Sequence, residues 1–203
     1  MRNLFLITFL LMLFSTSALA TAQTPDVLIY DNKVLDLFSN PLESYYKDEK
    51  DRPKFYIYPH ETSSGNWRGY VAIWEITDGE LFLRGLDSWL CDSGTETAPP
   101  LCRKADLKEL FGDKVRGKVA ATWFTGELRI PEGKQLAYVH MGYGSIYERD
   151  VIIKVEAGKI TGQKAIDNTK KELPVNQELQ KQELEKPKNS PLGDKSVVPK
   201  KNI

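Results

Sequence analysis

The chain has 203 residues with 28 basic and 28 acidic side chains, a formal net charge of zero and two cysteines. Residues 23–168 carry a slight acidic excess and the last thirty-odd residues a lysine excess. That balance excludes the clustered basic face that phosphate recognition needs, so nucleic acid is not an expected partner.

The chain opens with Met1-Arg2-Asn3, an apolar block over residues 4–14, and the small-residue run Ala18-Leu19-Ala20-Thr21-Ala22. A positive start, an apolar core of about 7–15 residues and an Ala-x-Ala end predict a cleavable export signal over residues 1–22. The block falls short of the roughly 20 apolar residues that span a bilayer. Cleavage after Ala20 and cleavage after Ala22 fit equally well, and no later segment reads as a transmembrane helix. The expected destination is the periplasm or the medium.

The predicted folded domain covers residues 23–168, a size at which a single domain buries close to ~70% of its unfolded surface. Its periodicity is mostly two. Residues 27–30 and 34–38 flank Asp31-Asn32-Lys33 as a hairpin, and residues 55–58 form a short aromatic strand ended by Pro59. Residues 70–76 and 81–84 flank Thr77-Asp78-Gly79-Glu80, and Asp-Gly between alternating apolar runs is a strong hairpin signal. Cys91 and Cys102 bracket a loop-like stretch. In an exported chain an even cysteine count at short spacing predicts a disulfide, with a loop-closure contribution of about 3 kcal/mol. Residues 104–111 space Leu107, Leu110 and Phe111 as a short helix stopped by Gly112.

Residues 119–130 alternate as a strand ended by Pro131-Glu132-Gly133. Residues 136–141 and 151–155 follow as strands, and Ala157-Gly158-Lys159 turns the chain into residues 160–162. The predicted class is mainly β, an antiparallel meander, sandwich or partly closed barrel with one short helix. Beyond residue 168 aromatics vanish and Lys, Glu, Gln and Pro dominate, so residues 169–203 are predicted to be a disordered tail.

His140 is the first candidate for acid–base chemistry, with Glu148 or Asp150 as an orienting carboxylate and Ser145 as nucleophile; His140, Ser145 and Glu148 define an alternative reading as an envelope hydrolase. Gly142-Tyr143-Gly144-Ser145-Ile146 lacks the glycine after serine of a nucleophile elbow, and strand alternation equally suits a half-buried structural His140. His60 follows Pro59 in a loop. Two distant histidines make no zinc signature, and Asp31, Asn32 and Asp36 miss calcium-loop spacing, so neither metal nor cofactor is expected. The carboxylate pairs Glu43 with Glu75 and Glu127 with Glu148 are chemically sufficient for glycoside cleavage, but solvated surface is the simpler reading.

Among the aromatics, Trp74 alternates with Ala72 and Ile76 as core. Trp67, Tyr143 and Tyr147 lie near glycines and are candidates for a recognition surface, and Arg68 either adds a charged contact or pairs with a carboxylate. The leading expectation is a non-enzymatic exported domain that holds a protein or glycan partner in the cell envelope, in the manner of an inhibitor or immunity protein. A structural module that docks through its lysine tail is a further alternative.

The runs Phe38-Ser39-Asn40-Pro41-Leu42-Glu43, Trp67-Arg68-Gly69-Tyr70 and the eleven-residue stretch from Tyr138 to Glu148, with Asp167-Asn168 at the end, resemble a family of small bacterial proteins without an assigned activity. The resemblance covers about residues 27–168. It implies domain limits and a bacterial origin, and carries no function.

Overall fold

The computed structural model describes residues 21–57, 63–91 and 101–171. The apolar opening, His60, most of the stretch between the cysteines and the tail beyond residue 171 lie outside the described residues. A compact unit ends at Lys171, close to the break in composition.

Among the described residues, ten strands and one short α-helix build a mainly β domain around an open, mixed sheet. In chain order the strands are β1 (Asp26–Tyr30), β2 (Lys33–Leu37), β3 (Phe55–Tyr56), β4 (Tyr70–Thr77), β5 (Glu80–Cys91), β6 (Cys102–Lys104), β7 (Val119–Ala120), β8 (Gly126–Ala137), β9 (Ile146–Glu156) and β10 (Lys159–Asp167). The sheet runs β2-β1-β4-β5-β10-β9-β8, and β3, β6 and β7 add to the long strand β5. Its pairs are antiparallel except β1 with β4, which is parallel. The rest of the sheet is antiparallel as expected; β2 returns the chain to the end where β1 starts, and β4 sets out from that end, parallel to β1.

Three hairpins share one solution. Asp31-Asn32, Asp78-Gly79 and Ala157-Gly158 each form a two-residue loop with both φ values positive, from 46° to 80°. Such loops match the right-handed twist of the strands they join. Ala157 is the poor fit, because its φ of 46° brings its Cβ toward the following carbonyl. Ala157→Asn supplies a side chain that tolerates this region, and urea unfolding should show it more stable than the parent by about 1 kcal/mol.

Alternation explains the core. Tyr70, Ala72 and Trp74 of β4 are fully buried, and Leu81 and Leu83 of β5 face them. The register slips between Ile73 and Trp74, which leaves Arg84 as an extra residue on β5. That bulge shifts parity, so Ser88 and Leu90 turn inward like Leu81 and Leu83. Leu128, Ile130, Ile153 and Val155 close the core from β8 and β9.

Several boundaries differ from expectation: β5, β9 and β10 run well beyond the spans predicted for them, and four segments are divided otherwise. Residues 119–130 are not one strand: the chain turns at 121–125, where Phe124 N donates to Ala121 O and Gly158 N to Phe124 O, so the β9–β10 loop packs into the break. Pro131-Glu132-Gly133 does not end β8, because an irregular register between Glu132 and Gln135 absorbs the extra residues. The predicted strand over 136–141 stops at Ala137. The predicted helix begins only at Leu107 (α1, Leu107–Phe111), since Cys102–Lys104 pairs with β5; Asp106 caps it by accepting from Lys108 N at 2.9 Å.

Cys91 and Cys102 are direct partners across β5 and β6 and form a disulfide. At the opposite seam the chain after β2 lies along β8. Phe38 N donates to Arg129 O at 2.8 Å and Arg129 N donates to Ser39 Oγ at 3.0 Å. These bonds bring the two sheet ends together without a strand ladder, and the sheet stays open.

Candidate functional site

The segments preceding β1 and β4 and the loop joining β8 to β9 meet at one end of the sheet. Gln23 N donates to Gly142 O at 3.0 Å, Thr24 N to Gly65 O at 2.7 Å, and Gln23 Nε2 to Ser64 O at 2.8 Å. Residues 21–24 therefore lie between the loop over 63–69 and the loop over 138–145, bound to both.

Beneath this junction is a buried ion pair. Asp26 is inward-facing on β1, in phase with Leu28, and Arg68 lies just before β4; both are fully buried. Arg68 Nη2 donates to Asp26 Oδ1 at 3.2 Å and to Thr24 O at 2.9 Å. The carboxylate also accepts from Ala72 N and from Trp74 Nε1, each at 3.1 Å. Burial pushes the Asp26 carboxyl up to about 6, against the opposing pull of the Arg68 charge and the Ala72 and Trp74 donors.

Arg68 extends the network to Tyr143. Its Nη1 donates to the Tyr143 hydroxyl at 3.0 Å, and that hydroxyl donates to Asn40 Oδ1 at 2.8 Å. Burial pushes the phenol up to about 12, which keeps it a donor at neutral pH. Its ring stacks on Phe38 at 4.9 Å, and Tyr147 meets the same Phe38 edge-on at 5.7 Å. A second arginine holds the loop from below: Arg129 donates to the carbonyls of Tyr143 and Ser145 at 2.5 and 2.9 Å and pairs with Asp150 at 2.8 Å. Asn168 Nδ2 in turn donates to Asp150 Oδ2 at 2.9 Å.

On the other flank, Tyr70 donates to Glu43 Oε1 at 2.6 Å, and Arg52 bonds both Glu43 oxygens and the carbonyl of Arg68. The backbone of Arg68 is thus fixed by one arginine while its own guanidinium fixes Tyr143. Arg68 Nε and Asn66 Oδ1 are buried here without a hydrogen-bond partner, and the exposed residues of this end include large apolar side chains together with Ser63, Ser64 and His140. Trp67 is 56% exposed and Met141 68%, with Tyr138 also exposed and His140 set edge-on against its ring at 4.5 Å.

The sequence candidates separate into distinct roles. Trp67 is at the surface. Arg68 takes the second of its two expected roles, paired with a carboxylate, and its full burial removes it from surface contact. Tyr143 is half-buried and structural through its hydroxyl, and Tyr147 donates to Gln135 at 3.2 Å. Ser145 is buried, its Oγ accepting from Val139 N at 3.1 Å. Glu148 covers the irregular turn in β8, where its Oε2 accepts from Lys134 N at 3.0 Å and its side chain fills the space over Gly133. Among the described residues no hydrogen bond links His140, Ser145 and Glu148.

The carboxylate pairs are likewise divided. Glu43 is held by Arg52 and Tyr70, and Glu75 by Arg84 and Lys118, with Lys118 holding its carboxyl below the usual range. Glu127 faces Lys164 at the surface. Among the described residues no group of three or more His, Cys, Asp or Glu side chains is placed to hold a metal, and no helix is long and apolar enough to cross a membrane. Asp26 and Arg129, which help to organise this end, were not singled out by the sequence; Asn40 stood only within the Phe38 to Glu43 run, and Asp150, a candidate to orient His140, is held by Arg129 and Asn168 instead. Asp26 had a readable signal, a charge in phase with the apolar face of a strand.

The fold therefore defines a mainly β domain with an open mixed sheet, one short helix and a braced loop end. Compared with protein-family models, curated proteins and solved structures, the chain matches none.

Proposed function

We propose that this chain is an exported, non-enzymatic binding domain that recognises a protein partner through the end bearing Trp67, Tyr138 and Met141. One observation carries the reading. Trp67 projects an exposed indole while its chain neighbours Asn66 and Arg68 are buried to 5% and 0% exposure. An aromatic so placed loses little conformational freedom on binding, which is the property of interface anchors. Trp67 is not among the residues of the buried core, and Met141, on the other loop tied to residues 22–24, offers an adaptable apolar contact.

The test uses immobilised full chain and its Trp67→Ala and Met141→Ala variants as baits for envelope extract, beside a glycan panel. The wild type should retain a specific protein that Trp67→Ala holds at least ~30-fold more weakly, the loss of about 2 kcal/mol typical of an anchor. Thermal unfolding of Trp67→Ala should match the parent, since the indole is outside the core. Equal retention by both baits, or binding to glycans alone, would sink the proposal.

A further inference from the structure

The two Ala-x-Ala positions, Ala18 to Ala20 and Ala20 to Ala22, are equivalent as peptidase substrates, but their products differ in the folded body. Ala22 forms a parallel bridge with Gly142. Its carbonyl oxygen lies 3.5 Å from where a side chain on Gly65 would stand, so Ala22 packs against both loops of the recognition end. The hydroxyl oxygen of Thr21 and the side-chain oxygen of Gln23 are shielded from solvent and have no hydrogen-bond partner, so it is the backbone of this segment that binds the loops. Folded structure therefore begins no later than Thr21.

We infer that an export peptidase cuts between Ala20 and Thr21, and that residues 21–24 are retained as a strap that ties the Trp67 loop to the loop bearing Met141. This rests on reading the chain as exported. Water adds to the Ala20 carbonyl and the C–N bond breaks; the leader departs with the Ala20 carboxylate and Thr21 keeps the new ammonium. A cut two residues later deletes the Ala22 to Gly142 bridge and places the new ammonium on Gln23. A terminal glutamine also cyclises: its amine attacks the side-chain carboxamide, ammonia leaves, and the Nε2 donor to Ser64 O is lost.

The experiment is export of the full chain with a C-terminal tag from a bacterial host, followed by intact mass and N-terminal sequencing. One species starting at Thr21 is expected. A start at Gln23, free or cyclised, overturns the assignment and leaves the export reading standing; a start at Met1 overturns both. Ala22→Phe gives an independent check, because a bulky residue at the cleavage position blocks the peptidase and residue 22 lies outside the Ala18 to Ala20 motif. Ala22→Phe should leave processing and the Thr21 start unchanged. Loss of processing in Ala22→Phe would refute the inference.

Discussion

Arg68→Leu should lower the free energy of unfolding by about 3–5 kcal/mol, the usual consequence of stranding one member of a buried ion pair. The leucine leaves the fully buried Asp26 without its counter-charge, and Tyr143 and Thr24 lose their donor. Asp26→Leu should cost a similar amount by stranding Arg68. The double replacement Asp26→Leu with Arg68→Leu should recover most of the loss, since a well-packed apolar pair often equals a buried ionic one. Urea titrations of the four proteins measure this cycle. Near-additive losses in the double variant would show that the two side chains act separately.

The same pair gives a pH signature. The folded Asp26 carboxyl stands at about 6, above its unfolded value of about 3.9, so the folded state holds the proton more tightly. The stability this contributes is present below about pH 4 and is lost as pH rises through about 6. Wild type should therefore gain stability relative to Asp26→Asn as the pH is lowered from 7 to 4. A flat difference across that range would mean that the carboxyl titrates alike in both states.

Loss of the disulfide is the other large effect. Reduction, or replacement of Cys91 and Cys102 by serine, should cost about 3 kcal/mol through the freedom returned to the unfolded chain. The loss should be felt first in β6, which has three residues and, among the described residues, pairs with β5 alone. Hydrogen exchange should show the amides of Arg103 and Lys104 losing protection before those of β4. Unchanged unfolding midpoints with and without reductant would contradict the expectation.

Much of the fold was legible because its signals are local. Asp31-Asn32, Asp78-Gly79 and Ala157-Gly158 each announce a turn within two residues, and all three turns are formed. The ends of β8 were not legible, since whether Pro131 and Gly133 stop a strand or are absorbed in it depends on Glu148, which lies on β9. The candidate site divides in the same way. Exposed Trp67 and half-buried Tyr143 stood out by composition and glycine neighbours. The role of Arg68 depended on Asp26, 42 residues earlier in the chain, and on a parallel pairing of β1 with β4 that no hairpin signal encodes.

Pro131 and the irregular turn after it have a consequence for how these molecules behave together. β8 is the last strand of the ladder, so much of its outer side faces no strand. A proline there removes one backbone donor, and the turn at Gly133, with φ at 81° and Glu148 folded over it, breaks the straight row that an incoming chain would need to copy. A carboxylate that looked like a catalytic candidate thus helps to make this edge a poor template for edge-to-edge stacking of neighbouring molecules.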